Sequence, residues 1–92
     1  MGQFVILYHP LVVKHDIPHL DRTVAKRVRS AIEVKLTSRP ELYGLPLRAT
    51  LKQYWKLRVG EWRVVYEIKK NQVNILVIAH RSSVYAIAES RF

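Results

Sequence analysis

Tyr54-Trp55-Lys56-Leu57-Arg58-Val59-Gly60-Glu61-Trp62-Arg63-Val64-Val65-Tyr66-Glu67-Ile68 is the stretch on which the fold turns. Two alternating runs flank Gly60-Glu61, and alternation at period two sends every second side chain to one face of a sheet. Tyr54, Lys56 and Arg58 share a face of the first run, and Trp55, Leu57 and Val59 the other. In the second run Trp62, Val64, Tyr66 and Ile68 fall together, opposite Arg63, Val65 and Glu67. Gly60 supplies the positive φ that a two-residue hairpin needs at its first turn position. The predicted unit is a hairpin with one apolar face and one cationic face. A cationic face on a small sheet suits a polyanion, and nucleic acid is the most abundant one.

Outward from the hairpin, Val73 onward reads as a further strand, about 73–80, after a turn at Lys69-Lys70-Asn71-Gln72 in which Asn71 tolerates the left-handed conformation. Val73, Ile75, Val77 and Ala79 are expected on one face and Leu76 and Ile78 on the other, so this strand is central and covered on both sides. The strand before the turn is expected over about 51–59, its partner over 62–69. Val84 to Phe92 suit a short terminal helix. Towards the N-terminus, Phe4-Val5-Ile6-Leu7-Tyr8 reads as a buried strand ended by His9-Pro10. Pro10 opens a helix through Asp16 that Ile17-Pro18 interrupts. Asp21 is an N-cap for a second helix with an apolar stripe at Val24, Val28, Ile32 and Leu36, closed by Arg39-Pro40. Residues 40–50 read as a loop or short strand. The expected architecture is α+β: an N-terminal strand and two helices packed on a small antiparallel sheet, in the order β-α-α-β-β-β with a short C-terminal helix. Residues 1–92 are expected to form a single domain.

The composition narrows the function. The chain has 92 residues, 49% of them hydrophobic, with 3 Gly and 4 Pro, which fits a folded domain rather than a low-complexity one. A domain this short buries roughly 60–65% of its unfolded surface, so its core is modest. Sixteen Lys+Arg stand against 7 Asp+Glu, giving +9, and most of the surplus falls after residue 47. Nucleic acid, an acidic protein and an anionic membrane surface all fit that charge, in that order of preference. There are no cysteines, so disulfides and thiolate metal sites are excluded. His9, His15 and His19 lack partners, and Pro18 separates the last two, so neither a metal nor another cofactor is expected. No stretch approaches the ~20 apolar residues of a membrane span. The first residues lack the basic region of a signal peptide, so a cytoplasmic setting is expected.

Leu57-Arg58-Val59-Gly60-Glu61-Trp62-Arg63-Val64-Val65-Tyr66-Glu67-Ile68, followed by Ile78-Ala79-His80-Arg81-Ser82-Ser83-Val84-Tyr85, resembles the RelE/ParE superfamily of type II toxins. That family commonly shows Arg-x-Gly-x-[aromatic]-Arg-[apolar]-[apolar]-Tyr and then an apolar strand closing on His-Arg-x-x-[apolar]-Tyr. The resemblance implies a RelE-like fold and a toxin silenced by a small antitoxin, in a possible toxin–antitoxin hetero-oligomer. Its RelE-like branch cuts mRNA on the ribosome without a metal; its ParE-like branch poisons DNA gyrase with no nuclease activity. The reading preferred from the sequence is a metal-independent, ribosome-dependent mRNA endonuclease. The alternatives are a gyrase poison and a catalytically degenerate member that only binds its antitoxin. By the resemblance Arg63 contacts the scissile phosphate, Lys56 matches a strand lysine of RelE, and Arg81 and Tyr85 match the C-terminal arginine and tyrosine. Tyr54 stands where RelE has a second lysine. Gly44-Leu45-Pro46-Leu47-Arg48 has no glutamate where one branch places a carboxylate base, which argues against a YoeB-like acid/base pair.

Cleavage by internal attack requires that the 2′-OH lose a proton, that charge on phosphorus be stabilised, and that the 5′-oxygen be protonated. Arg63 and Arg81 are expected to grip phosphate oxygens, which the planar guanidinium suits. His80 has an intrinsic pKa suited to proton transfer. With Lys56 and Tyr85 these form the expected catalytic set, and Arg48, Lys52, Tyr54 and Arg58 the expected RNA-binding set. Trp55 and Trp62 are expected to be core or hairpin packing rather than stacking platforms.

Overall fold

The computed structural model describes residues 4–46 and 53–92. Its centre is the expected hairpin: β3 (Trp55–Val59) and β4 (Trp62–Lys69) pair antiparallel, with Val59 opposite Trp62 across the turn. Gly60 has φ +61 and Glu61 stays negative, the pattern of a type II′ turn whose twist matches its strands. A side chain at this position would also press on the Arg27 guanidinium, 3.2 Å from where its Cβ would lie. At the second turn, between β4 and β5 (Gln72–His80), the left-handed residue is Lys70 (φ 57) and not Asn71. The two-residue turn places positive φ at its first central position, and Lys70 occupies it. Two shorter strands complete a five-stranded sheet of order β1-β5-β4-β3-β2. β2 (Leu45–Pro46) pairs antiparallel with β3, whereas β1 (Val5–Tyr8) lies parallel to β5. The antiparallel expectation holds for the β3–β5 meander, and β1 makes the sheet mixed. β5 is interior, as its two apolar faces implied. Residues 53 and 54 form a turn ahead of β3, so that strand starts later than expected.

The helices follow local chemistry. His9 Nδ1 accepts from the Leu11 N–H at 3.0 Å, starting a helical segment at Pro10 that widens into a π-helical turn over Val12–Asp16 and tightens to 3₁₀ over Ile17–His19, where Pro18 sits. Asp21 caps α1 (Arg22–Lys35), its carboxylate accepting from the Val24 N–H at 2.8 Å. The expected stripe is the buried one: Val28, Ile32 and Leu36 are no more than 1% exposed, with Val24 beside them. Each such side chain stabilises by about 1.5–3 kcal/mol relative to exposure. α1 ends at Lys35, four residues before Arg39-Pro40. Pro40 instead opens a further short helix, α2 (Pro40–Tyr43), where a loop or strand was expected, because proline fits a first helical turn. α3 spans Val84–Arg91.

Two apolar clusters sit on the two faces of the sheet. α1 and the N-terminal segments cover Leu57, Val59, Val64, Tyr66, Val73, Ile75 and Ile78; α3 covers Val65, Leu76, Val77 and Ala79 with its own Val84 and Ala88. The assignment of Val77 and Ala79 to the face of Val73 and Ile75 is therefore incorrect. Val65 pairs with Val77 but Tyr66 pairs with Ile75, so Leu76 is an extra residue, and the bulge reverses the parity of everything after it. The bulge has a second consequence. It leaves the Leu76 carbonyl for Arg91 Nη1 at 3.0 Å, while Arg91 also grips Asp16 with two bonds of 2.9 and 3.0 Å. Asp16 accepts in addition from the Ile78 N–H at 2.9 Å. A buried carboxylate thus ties the π-helical turn, β5 and the end of α3 together. On the other side, the Tyr66 hydroxyl donates to the Pro40 carbonyl at 2.6 Å and lies against Gly44, where a methyl group would overlap it. No helix among the described residues is long and apolar enough to cross a membrane.

Candidate functional site

α3 covers only part of its sheet face, and the uncovered part, over β3, presents the cations. The faces of the hairpin are as its alternation predicts: Trp55 and Trp62 turn to the α1 side and pack on its core. Lys56 and Arg58 turn to the other side. There Lys56 Nζ donates to Tyr85 Oη at 3.1 Å and lies 5.0 Å from the centre of the Tyr85 ring. Tyr85 reaches β3 because it is in the first turn of α3, which docks through Val84 and Ala88. One residue therefore comes from a strand and one from a helix, 29 positions apart. The Tyr85 side of the pair is open to solvent, at 37% exposure.

Arg58 is exposed and stands directly across the ladder from Arg63. Two like charges opposite each other repel, and the structure relieves this by turning Arg63 inward. Arg63 is only 7% exposed, and its Nη1 donates to the carbonyls of Gly60 (2.9 Å) and Trp62 (2.8 Å). Arg81 lies just past the end of β5 and is also engaged. Its Nε donates to Glu61 Oε1 at 2.6 Å, and its main-chain N–H donates to the Glu61 carbonyl at 2.9 Å. The two arginines expected to grip phosphate are thus near one turn but are held by it.

His80 is not part of the Lys56–Tyr85 group. It pairs with Trp62 across the ladder and meets that ring edge to face at 5.4 Å, on the α1 side of the sheet; its Nδ1 contacts Ser82 Oγ at 2.8 Å. The bulge at Leu76 is the reason, since it reverses which residues of late β5 share a face. Tyr54 is half-buried, with its ring 5.8 Å from that of Phe92, so it is engaged within the fold rather than presented as a stacking platform. Arg48 and Lys52 lie outside the described residues. Among the described residues, no cluster of three or more His, Asp or Glu is arranged to hold a metal.

The model of the ParE toxin family of type II toxin–antitoxin systems matches residues 4–85. The chain belongs to that family. The toxin is similar in structure to a chain of the RelBE2 toxin–antitoxin complex of Mycobacterium tuberculosis, with TM-score 0.80 and 25% identity over 86% of this chain and 99% of that one. It is also similar to a chain of the RelB–RelE antitoxin–toxin complex of Methanococcus jannaschii (TM-score 0.65, 24% identity, 86% and 94% covered). A chain of the DinJ–YafQ complex of Escherichia coli gives TM-score 0.57 and 18% identity, with 90% and 99% covered. A search of the curated proteins found no match.

Sequence reading missed one residue that engages the candidate site of this toxin. Glu61 is the sole acid between Arg58 and Arg63, in the turn itself, and is assigned no role in the sequence reading. The hydrogen bond from Arg81 holds its carboxyl below the usual glutamate range, and the charges of Arg81, His80 and Arg63 act in the same direction. The signal was present as an acid placed within a cationic stretch.

Proposed function

We propose that the toxin is a metal-independent, ribosome-dependent mRNA endonuclease that acts in the cytoplasm as a single domain and is silenced by a cognate antitoxin, with which it forms a hetero-oligomer. The observation that carries this reading is the Lys56–Tyr85 pair, a proton donor and an ammonium in contact on an open cationic face. In the reaction the 2′-oxygen attacks phosphorus and releases its proton to water, the P–O5′ bond breaks, and the Tyr85 hydroxyl protonates the departing 5′-oxygen. Lys56 Nζ, already bonded to Oη, stabilises the phenolate that forms. Arg58 takes the flanking phosphate, and Arg63 and Arg81 serve once freed from the turn. The 2′-OH requirement gives selectivity for RNA over DNA. Toe-print mapping on translating ribosomes tests the proposal: wild-type toxin should produce new mRNA 5′ ends at the ribosomal decoding site, and intact mRNA at inhibitory toxin concentrations would reject it.

A second reading is supported by the occupied state of Arg63 and Arg81. A ParE-like gyrase poison needs no phosphate-gripping arginines, and these two are engaged internally. Loss of DNA supercoiling before loss of translation would favour it.

A further inference from the structure

The Gly60-Glu61 turn does more than reverse the chain. It delivers the Gly60 carbonyl to Arg63 and the Glu61 carboxylate to Arg81, so one short segment engages both arginines. We infer that Glu61 is an anionic placeholder: its carboxylate holds Arg81 in place of an RNA phosphate, and gives way when a phosphate arrives. The inference rests on the reading of this surface as one that handles RNA.

Three features support it. First, the pair is exposed on both sides, with side chains 60% and 63% accessible, and exposed ion pairs are weak, so exchange for another anion is easy. Secondly, the main-chain bond between Arg81 N–H and Glu61 O sets the spacing of the two residues independently of the side chains. Arg81 therefore stays at the turn when the carboxylate leaves. Thirdly, only Nε of Arg81 is engaged by Glu61, and the guanidinium fork has further donors suited to a phosphate. With Glu61 bound, the Arg81–Glu61 pair carries no net charge. With Glu61 displaced, the exposed Arg81 guanidinium is uncompensated and its donors are open to a phosphate.

The test follows the arginine side-chain Nε–H and glutamate carboxylate resonances of the ¹³C,¹⁵N-labelled chain during titration with inorganic phosphate and, separately, a short single-stranded RNA. In about 0.15 M salt, charges beyond roughly 8 Å are screened. Glu61→Gln should bind phosphate about 2–5-fold more tightly than wild type, the scale of one exposed ion pair. Glu89→Gln, which changes net charge equally from an exposed site on α3, should leave the affinity within about 1.5-fold, because distant charges are screened. The gain should vanish in Glu61→Gln/Arg81→Ala. In the wild-type chain the Glu61 carboxylate carbon should shift as phosphate binds. Equal effects of Glu61→Gln and Glu89→Gln, a gain that survives Arg81→Ala, or an unmoved carboxylate would overturn the inference. A chain that shows the Glu61 effect but never cleaves mRNA sinks the nuclease reading alone. One that cleaves mRNA with no Glu61 effect sinks this inference alone.

Discussion

The Asp16–Arg91 clip makes a quantitative demand on the fold. Its side chains are 6% and 12% exposed, so neither charge is well hydrated. Arg91→Ala leaves Asp16 with the Ile78 N–H as its remaining partner and should cost about 3–5 kcal/mol, the usual penalty for stranding one member of a buried pair. Asp16→Ala should fall at about 3 kcal/mol, since Arg91 sits in the last turn of a helix and can swing its guanidinium to water. In a domain of this size 3 kcal/mol lowers Tm by about 10–20 °C. The double variant should cost less than the sum of the singles, by about 1–3 kcal/mol. It should not return to wild type, because the Ile78 N–H is left without its acceptor at a cost of about 1–3 kcal/mol. Urea unfolding followed by tryptophan fluorescence gives all four corners of the cycle. Single losses below about 1 kcal/mol, or strict additivity, would refute the view that this pair is one desolvated unit.

Three further outcomes are expected. Lys56→Ala and Tyr85→Phe should each lower mRNA cleavage about 10²–10⁴-fold, while His80→Ala, on the other sheet face, should change it less than about threefold; a toe-print assay in which His80→Ala is the most damaging would contradict the assignment. Gly44→Ala should destabilise by about 1–3 kcal/mol, because its methyl overlaps the Tyr66 hydroxyl, and Tyr66→Phe should relieve part of that cost; an unchanged urea midpoint would refute the overlap. Burial, with a smaller push from the Glu41 charge, raises the Tyr66 hydroxyl well above its ordinary 10.0. A raised pKa means that the contribution of the neutral phenol is whole below about pH 10 and lost as pH climbs past it. The urea midpoint should therefore fall more steeply above about pH 10 in wild type than in Tyr66→Phe, and identical slopes would count against it.

Much of the fold was legible because local rules and packing agree. Alternation in 54–68, Gly60 at the turn, the Asp21 cap and the Val28–Ile32–Leu36 stripe each state a backbone preference that the core then uses. What escaped were features that no local pattern encodes. The bulge at Leu76 substitutes one apolar residue for another, so the sequence of β5 reads the same with or without it. Only pairing with β4 reveals the reversal, and with it the displacement of His80 from Lys56 and Tyr85. The engagement of Arg63 and Arg81 was invisible for a related reason. Sequence shows that arginines and Glu61 are close along a hairpin, but which donor meets which acceptor depends on how the end of β5 returns to the turn. Asp16 and Arg91 are separated by 75 positions and carry no shared motif.

β5, which lies inside the sheet between β1 and β4, is also the last of the described strands in chain order. β1 must wait for it, having no other partner in the ladder, and Asp16 must wait longer still for the helix that follows. A ribosome making this polypeptide therefore holds a nascent chain whose first strand is unpaired and whose tyrosine at position 85 has no helix to stand on. The contact between Lys56 and Tyr85 is therefore among the last that this topology allows to form.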